Sequence, residues 1–511
     1  MQYKINLRIQ ADKAFSLNEC IAKKYRLKSF SYQILSKSID ARNKQEVCLV
    51  YQLLVETKGK PKGRGIEPYH KEKVSIDYPI WKGVAPVIVG FGPAGMFAAL
   101  YLARCKANPI IIERGSRIEQ RVQEVEKFLK TKVIEPNSNV QFGEGGAGAF
   151  SDGKLTTNVK NPYVRFIFEE FYKHGAKEDI LYDSMPHIGT DVLREVVKNI
   201  RTEIEGLGGK FYFNTTFEDA KEEDEQICVF AGNHMFKTKH LLLGLGHSAR
   251  DTIRHLYQDM QLAMEPKAFS MGVRVEHLAS KMDRAQYGRY AKFLPRAYYK
   301  LSCHLEDRGV YTFCMCPGGY VIASASSENS IVTNGMSNQA REGENSNSAM
   351  LVDVKPKDYG TGVLDGLAYQ EKYERLAFEI AKDYRAPANL MKEFLDDEIA
   401  AEERSVHSSY PHGILMSDLR RCLPDFVVQG IKAGILYFDQ KLHGFYDPDA
   451  ILIGIESRSS SPVRILRNEQ RVSSNPFIYP IGEGAGYAGG IVSAALDGLL
   501  TAMKIVGETS E

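Results

Sequence analysis

The chain has 511 residues, enough for about two or three domains with large cores. Its composition is ordinary for a globular protein, and a formal net charge of +2 excludes a global field that would recruit nucleic acid or an anionic membrane. Its 8 cysteines are too scattered for a disulfide framework, and the start of the chain lacks the apolar core of a signal peptide, so we expect a cytoplasmic protein.

Residues 1–82 are predicted to form a small α+β module. Alternating apolar residues predict strands at 3–9, 30–39 and 46–55, and residues 17–25 predict a helix. The basic, glycine-rich segment 58–65 is interpreted as a solvated loop, with a contact to RNA or phosphate as the alternative.

From residue 84 the pattern changes to alternating strands and helices. Residues 86–89 predict a strand, 93–107 a helix and 109–112 a second strand. The stretch 86–103 is uncharged and long enough to raise the question of a membrane span. Its glycines and proline have the spacing of a strand–turn–helix unit instead, so we predict a βαβ unit here.

Three glycines lie on the turn of this unit, at the spacing of the dinucleotide-binding motif: Gly90, Gly92 and Gly95. Gly90 permits the tight turn, Gly92 lets the backbone approach a pyrophosphate, and Gly95 lets the helix pack closely on the strand. Because the helix begins at Pro93 and Ala94, the partial positive charge of its N-terminus faces the pyrophosphate.

An acid follows the second strand of the unit. Glu113 stands where a carboxylate accepts hydrogen bonds from the ribose hydroxyls of a dinucleotide, and the adjacent Arg114 is a further cofactor-binding candidate. Glycines, helix and acid together predict a dinucleotide cofactor; a chance glycine turn is the alternative.

The first α/β region is predicted to continue to about residue 252. Its remaining elements are a helix at 117–130, a glycine-rich loop at 141–154, a helix at 191–207 and strands at 210–213 and 240–245.

Residues 253–444 are interpreted as an inserted substrate domain. Strands are predicted at 271–276, 297–304, 310–314 and 319–324, with a hairpin turn near 307–309, and helices at 366–384 and 411–431. Residues 450–455 and 478–480 are predicted to return to the first sheet, before a final helix at 490–506.

A second glycine cluster near the end of the chain identifies the dinucleotide. Glu483, between Gly482 and Gly484, is placed to bind a hydroxyl of a ribityl chain. Gly490 and Ile491 open the final helix, whose N-terminus would face N1 and O2 of an isoalloxazine, where negative charge accumulates on reduction. NAD has no ribityl chain, so the cluster predicts FAD; a glycine-rich packing turn is the alternative.

Four longer motifs resemble a known family: residues 143–155, 244–252, 314–319 and 482–486. They resemble the uncharacterised bacterial FAD-dependent dehydrogenases, which are NAD(P)/FAD-dependent oxidoreductases of the glutathione-reductase-like flavoprotein superfamily. The resemblance covers nearly the whole chain. It implies an α/β fold in which a Rossmann-type FAD-binding domain (83–252 and 445–511) carries an inserted α+β substrate domain (253–444), with the small α+β module (1–82) at the amino end.

The resemblance also implies positions for further residues. Gly145, Gly146, Ser151 and Lys154 would lie along the pyrophosphate and the flavin. The chain would cross near the cofactor at two more glycines, Gly244 and Gly246.

Cysteines are the sharpest candidates for chemistry beyond the flavin. Cys314 and Cys316 alternate on a predicted strand and should share a face, with Cys303 opposite one of them on the partner strand. They are interpreted as a redox-active pair or a substrate-facing nucleophile; the alternative is small buried hydrophobic residues in a tight Pro-Gly-Gly corner. No second Cys or His pair has ligand spacing, so no metal site is expected.

Two further groups are substrate-side candidates. Arg458 and Arg464 flank three serines and could hold a carboxylate or phosphate of a substrate, or could brace the insert against the FAD-binding domain. His247 follows a buried strand and is a candidate for proton transfer, or for a capping role.

These patterns predict an FAD-dependent oxidoreductase, a dehydrogenase that transfers a hydride between a small organic substrate and flavin N5. No second dinucleotide motif is present, so either the substrate reduces the flavin directly or NAD(P)H binds transiently in the substrate cleft as electron donor. Two alternatives stay open: a flavoenzyme that acts on RNA through residues 1–82, and a redox-sensing or electron-relay flavoprotein without a metabolite substrate. No membrane partner is expected, and the sequence does not define an oligomeric state.

Overall fold

The amino-terminal part of this computed structural model, which describes residues 1–69, 75–399 and 402–510, is an antiparallel sheet with the strand order β2-β3-β1-β4. Its elements are β1 (Gln2–Gln10), α1 (Leu17–Tyr25), β2 (Ser31–Asp40), β3 (Cys48–Glu56) and β4 (Ile66–Pro68). The sequence predicted the helix and the first three strands, because alternating residues of β1 are buried under α1. Residues 58–65 are mostly exposed, as expected of a solvated loop.

The next part of the chain alternates strands with helices. Its elements are β5 (Val87–Val89), α2 (Pro93–Arg104), β6 (Ile110–Ile112), α3 (Ile118–Thr131), α4 (Val164–Lys173), α5 (Thr190–Gly206), β7 (Lys210–Tyr212), β8 (Phe217–Glu223), β9 (Gln226–Ala231), β10 (His234–Thr238), β11 (Leu241–Leu243) and α6 (Arg250–Gln258). Strands β8, β9 and β10 form a separate antiparallel sheet. Two 3-10 helices, Gly146–Phe150 and Glu178–Leu181, complete this part.

The third part is built on a larger sheet. Its elements are β12 (Met264–Pro266), β13 (Phe269–Leu278), α7 (Ala279–Tyr287), β14 (Ser302–Leu305), β15 (Arg308–Cys316), β16 (Tyr320–Ala323), β17 (Thr333–Met336), β18 (Asn345–Val354), α8 (Pro356–Tyr359), α9 (Asp365–Ala381), β19 (Ala386–Leu390), α10 (Met391–Asp396), β20 (Ile414–Met416), α11 (Asp425–Lys441), β21 (Ile451–Glu456) and β22 (Val463–Ile465). Seven strands form a mostly antiparallel sheet in the order β14-β15-β18-β13-β21-β19-β20. Helix α11 packs on this sheet through small residues: a Cβ on Gly434 would lie 2.5 Å from Met350.

The chain then returns to the first sheet. Strand β23 (Ile478–Pro480) completes a five-stranded parallel sheet in the order β23-β11-β5-β6-β7. Strands β5 and β11, in its centre, are buried at every residue, as expected when helices cover both faces of a parallel sheet. The last helix, α12 (Ile491–Ser510), packs along α2. A mixed α/β fold with a parallel sheet is therefore confirmed.

One predicted strand belongs to a different sheet. Residues 450–455 were expected to return to the first sheet, but β21 lies between β13 and β19 in the seven-stranded sheet. The expectation is wrong because every residue of β21 is buried, and a short apolar strand suits the centre of either sheet equally well. The division of the chain into domains stays a prediction.

Two other segments differ from their predictions. Residues 411–431 were expected to be largely helical, but β20 and a 3-10 helix at Leu419–Cys422 precede α11, which begins after Pro424. Proline restricts the residue before it to extended backbone, so the helix starts late. The expected strand at 297–304 is reduced to β14, which pairs with β15 around the predicted hairpin turn.

The uncharged stretch 86–103 forms β5 and most of α2, as predicted. In the described ranges, no helix combines the length and apolar character needed to cross a membrane. All 8 cysteines are free thiols.

Candidate functional site

A cavity of about 1260 Å³ lies between the parallel sheet and the seven-stranded sheet. One side is formed where β5, β6 and β11 end, at Gly90, Glu113 and Gly244. The opposite side comes from the strands that contain Cys314 and Glu456. Ligands of open parallel sheets bind at the carboxyl ends of the strands, and this cavity has that position.

The glycines of the first motif have two different roles. Gly90 and Gly95 allow chain segments to pack closely, and Gly92 leaves space in the cavity. A Cβ on Gly95 would lie 1.9 Å from the Gly90 carbonyl oxygen, and one on Gly90 would lie 2.5 Å from the Gly244 carbonyl oxygen. These glycines therefore let β5, α2 and the end of β11 approach each other. Gly92 differs: among the described residues its Cβ would meet only Gly146, with 3.8 Å to the Cα. Gly92 lines the cavity, so its missing side chain leaves room for a ligand.

The acid after β6 organises the loops around the cavity. The buried Glu113 carboxylate accepts hydrogen bonds from the backbone N–H groups of Phe91 at 2.9 Å, Gly115 at 3.0 Å and Gly143 at 3.0 Å. A role toward a ribose, which the sequence predicts, would come in addition to this scaffolding. The neighbouring Arg114 also lines the cavity, and its guanidinium lies 4.6 Å from the ring centroid of Phe142.

The glycine-rich loop is held by an arginine that sequence reasoning did not single out. Arg121, on α3, is fully buried and donates to the carbonyl oxygens of five residues: Asn139, Val140, Gly143, Glu144 and Gly146. Burial lowers the pKa of Arg121 to about 9. The sequence did not indicate this role, because an arginine on a helix with many other charged residues is usually solvated. Gly145 lies within this loop and donates to the carbonyl of Phe91 at 2.9 Å, without lining the cavity.

Two helix N-termini open onto the cavity. Gly92, Pro93 and Ala94 line it at the start of α2, and Gly490 and Ile491 line it at the start of α12. Helix N-termini carry partial positive charge and unsatisfied N–H groups, so both favour anionic or electron-rich ligand atoms.

Close packing between the two glycine motifs fixes the relative position of these helix starts. A Cβ on Gly482 would lie 2.7 Å from that of Ala94, and a Cβ on Gly484 would lie 2.3 Å from the Leu245 carbonyl oxygen. Neither Gly482 nor Gly484 lines the cavity. Their role in the fold is therefore close contact between chain segments.

Glu483 is paired with His247. Their Oε1 and Nδ1 atoms are 2.9 Å apart, and both residues line the cavity beside Gly246. The other ring nitrogen of His247, Nε2, is buried and has no hydrogen-bond partner among the described residues. The pair thus combines the predicted ribityl-binding acid with the predicted proton-transfer candidate.

Lys154 and Ser151 extend the wall toward the seven-stranded sheet. Both line the cavity, and the Lys154 ammonium donates a hydrogen bond to the carbonyl of Met315 and lies 4.0 Å from Asp152. Burial opposes its charge, but the negative charge that Cys316 and Cys314 carry when ionised, together with Asp152, raises the pKa of Lys154 above its ordinary value.

The two cysteines predicted to take part in chemistry, Cys314 and Cys316, occupy different environments. Cys314 lines the cavity and is partly exposed, whereas Cys316 is fully buried. They do not follow simple strand alternation, because a bulge lies between Phe313 and Cys316 and Cys314 has a φ of 44°. The expectation that Cys303 faces one of them is wrong, since Cys303 pairs with Val310.

The structure separates the two arginines that were predicted to hold a substrate together. Arg464 pairs with Glu265 at 3.1 Å and does not line the cavity. Arg458 lines it but is buried, and its guanidinium donates to Glu374, Ser248 and Ser326. The second interpretation of this loop, that it braces two parts of the chain, fits these contacts better.

A second buried ion pair, between Arg274 and Glu456, supports the wall of the cavity that the seven-stranded sheet forms. Arg274 donates to both carboxylate oxygens of Glu456 at 2.9 Å, to the Cys314 carbonyl at 2.7 Å and to the Cys316 sulfur at 3.5 Å. Glu456 holds the pKa of Arg274 above its ordinary value despite full burial. Sequence reasoning missed this pair, whose two residues stand on strands that are mostly apolar.

One cluster outside the cavity has the spacing of metal ligands. Glu170, His174 and Glu203 are the one such group among the described residues. Arg104 pairs with both carboxylates, 2.5 Å from Glu170 and 2.8 Å from Glu203, so an ion-pair network accounts for the cluster.

The cavity fits FAD on three observations. Gly92 leaves open the space that a pyrophosphate needs, two helix N-termini face the same cavity, and the buried Nε2 of His247 has no partner in the described part of the chain. The individual cofactor contacts stay predictions.

Comparison with known proteins agrees with this cofactor. Residues 268–459 match a domain family described as FAD-dependent protein, C-terminal domain-like. An uncharacterized protein of Clostridium beijerinckii is 44% identical over 491 residues, which cover 93% of this chain and 92% of the relative.

Similar solved structures include CtdE in complex with FAD. It is 10% identical, the match covers 83% of this chain and 84% of CtdE, and the TM-score is 0.33. The halogenase PltM is another similar structure. It is 9% identical, the match covers 84% of this chain and 69% of PltM, and the TM-score is 0.39. These scores are too low to support an argument about architecture or activity.

Proposed function

This chain belongs to the same family of FAD-dependent proteins as its Clostridium relative, and on that premise we propose that it is an oxidoreductase that transfers a hydride between a small organic substrate and flavin N5. FAD is the cofactor. The observation that supports the proposal is that one cavity joins two helix N-termini to a wall that includes charged side chains from the seven-stranded sheet.

The lining residues support one direction for the bound cofactor. Glu113 and Arg114 would face the adenosine end, and the start of α2 with Gly92 would hold the pyrophosphate. Glu483 and the start of α12 would face the ribityl chain and the ring. When bound, FAD supplies two-electron chemistry, and the protein supplies position and electrostatics.

The remaining wall favours an anionic substrate. Lys154, Lys267 and Lys300 line the cavity, while two of its acids are matched by arginines. Asp152 accepts from Arg341 at 2.9 Å, and the Arg274 contacts match Glu456. We therefore propose a small organic acid as the substrate class. These lysines take the role that the sequence assigned to Arg458 and Arg464.

Anaerobic reduction of the bound flavin tests the proposal. The holoprotein is mixed with small organic acids, their uncharged amides, NADH and NADPH, and the visible absorbance of FAD is followed. We expect bleaching by an acid but not by the matching amide. Bleaching by NADH or NADPH alone would assign a nicotinamide donor, and reduction by none of these compounds would contradict the proposal.

Lys267→Met is expected to weaken substrate binding about tenfold. A charge-assisted hydrogen bond contributes about 1.5–3 kcal/mol, and Lys267 lies on the cavity wall, where burial lowers its pKa. We expect the loss in KM, with kcat within about twofold of the native value, measured by stopped-flow reduction of the flavin. Lys130→Met, on the exposed surface of α3, is the matched control. Equal KM values in the two variants would exclude Lys267 from substrate binding.

A further inference from the structure

A second pocket lies beside helix α7 and is separate from the FAD cavity. It has a volume of about 790 Å³ and shares no lining residue with the FAD cavity. Its walls come from α7, from the 3-10 helix Gly288–Phe293 and the segment 294–296 that follow it, and from residues 340–342 between β17 and β18. We call it the α7 pocket. Its volume is within the range of small-molecule sites.

Positive charge dominates among the side chains of the α7 pocket. Four cationic side chains and two carboxylates line it: Arg284, Lys292, Arg296, Arg341, Asp283 and Glu342. Asp283 is already matched, because its carboxylate accepts hydrogen bonds from the Arg296 guanidinium at 2.8 Å and from the Ala297 N–H at 2.7 Å. The pocket therefore keeps an excess of positive charge, which favours an anionic ligand.

Two of these cations have no opposite charge beside them. Within the described ranges, the exposed Arg284 side chain forms neither an ion pair nor a hydrogen bond. Lys292 is also exposed, and the contact recorded for its ammonium is with the ring of Phe293, 4.9 Å from the centroid. A ligand that binds Arg284 and Lys292 would displace no existing ion pair, so the charge of both side chains is available to it.

Arg341 adds an unsatisfied hydrogen-bond donor. Its Nη2 donates to Asp152 at 2.9 Å, whereas its Nε is buried and has no hydrogen-bond partner among the residues that the structure describes. The backbone of Arg341 has a φ of 54°, a left-handed conformation that is uncommon for arginine. Buried donors without a partner are rare in proteins, and a bound anion would supply the missing acceptor.

We propose that the α7 pocket binds a small ligand that carries at least one phosphate group, with Arg284 and Lys292 as its main contacts and Arg341 as its buried anchor. A phosphate group combines about −1.5 to −2 charges with three strong acceptor oxygens, and arginine binds it through two parallel N–H···O bonds. A carboxylate carries a single charge, so this density of cations suits phosphate better. The site is additional to the cofactor and substrate cavity, and the proposed hydride transfer does not require it.

Calorimetric titration of the FAD-loaded protein with inorganic pyrophosphate tests the proposal. Bound FAD would occupy the space beside Gly92 that suits a pyrophosphate, and a constant ionic strength keeps general charge screening the same throughout. We expect saturable binding at one site per chain, at least about tenfold tighter than the binding of citrate, whose charges lie on separate carboxylates. Absence of saturable binding would overturn the proposal, and tighter binding of citrate would overturn the choice of phosphate.

Single substitutions locate the bound anion. Arg284→Met and Lys292→Met should each weaken pyrophosphate binding about tenfold, because each removes one charge-assisted hydrogen bond. Two controls remove the same charge elsewhere: Lys130→Met on the exposed surface of α3, and Lys300→Met in the FAD cavity. Both controls should bind pyrophosphate as tightly as the native protein.

The variants also show which results would contradict this site. Retained FAD in every variant indicates an intact fold, so a loss of pyrophosphate binding is a local effect. Native affinity in both Arg284→Met and Lys292→Met would exclude the α7 pocket. Weaker binding in Lys300→Met alone would place the anion in the FAD cavity and would equally refute the proposal. These results do not depend on whether an organic acid reduces the flavin.

Discussion

Gly92→Val is expected to give a folded protein that purifies without FAD. The backbone at Gly92 has a φ of −77° and a ψ of −176°, which valine adopts without strain. Within the described chain the added Cβ would meet only Gly146 at an ordinary contact distance, so the branched side chain would extend into the cavity. We expect FAD binding to fall by at least about 100-fold, equivalent to roughly 3 kcal/mol.

The visible spectrum after desalting measures the loss of FAD, and thermal unfolding measures the state of the fold. Gly206→Val is the matched control, because Gly206 is exposed at the end of α5 and an added Cβ would meet no described residue outside its own helix backbone within 4 Å. It should remain yellow. A Gly92→Val protein that keeps stoichiometric FAD would show that the cofactor does not pass this turn. Gly95→Val should fail differently, by disrupting the fold, since its Cβ meets the Gly90 carbonyl oxygen.

Glu374→Ala is expected to destabilise the protein by about 3–5 kcal/mol. Glu374 is buried on α9 and accepts hydrogen bonds from two buried arginines, Arg250 and Arg458, and from the Ser457 hydroxyl. Removal of the carboxylate leaves two buried cations without their shared partner, which is the costly way to break a buried ion pair.

Denaturant unfolding measures this effect, with Glu371→Ala as control. Glu371 lies on the same helix, pairs with the partly exposed Arg254 at 2.7 Å and has only a 4.0 Å contact with Arg250, so its loss should change the free energy of unfolding by only about 0–1 kcal/mol. Similar values for the two variants would contradict a special role for the buried network.

The network also has a defined pH dependence. Burial alone would raise the pKa of Glu374, but Arg250 and Arg458 lower it well below its ordinary value. Its stabilising contribution should be complete above the pKa of an unfolded glutamate and be lost as the pH falls toward the lowered, folded value. Glu374→Ala should therefore be less sensitive to acid than the native protein.

Short sequence patterns were sufficient to predict those helices and strands whose residues are determined by their immediate neighbours in the chain. The helix α2 and the strand before it follow from a short apolar strand, three glycines and a proline. Helix α1 was predicted with the bounds that it has, because amphipathic periodicity reports the face that packs on its own sheet. The seven-stranded sheet was harder, since β21 carries no signal that distinguishes it from a strand of the parallel sheet.

The sequence could not predict which side chains contact each other in the site. The sequence left open whether Arg458 binds a substrate or braces two parts of the chain, because it does not reveal that Glu374, on α9, supplies the carboxylate that neutralises it. Cys303 was expected to lie opposite Cys314 or Cys316, but the tight turn between β14 and β15 sets a register in which Cys303 pairs with Val310. Such contacts depend on sequence-distant segments, whose spacing no local period encodes.

The sequence by itself determined the two glycine motifs, the helix starts that follow them and hence the kind of cofactor, because phosphate and flavin binding require small residues at fixed positions in a turn. The tertiary structure alone decided that both motifs open onto one cavity, that lysines rather than Arg464 line its wall, and that Cys314 is accessible while Cys316 is buried. The physical reason is that burial, charge pairing and cavity shape arise only when segments hundreds of residues apart pack together.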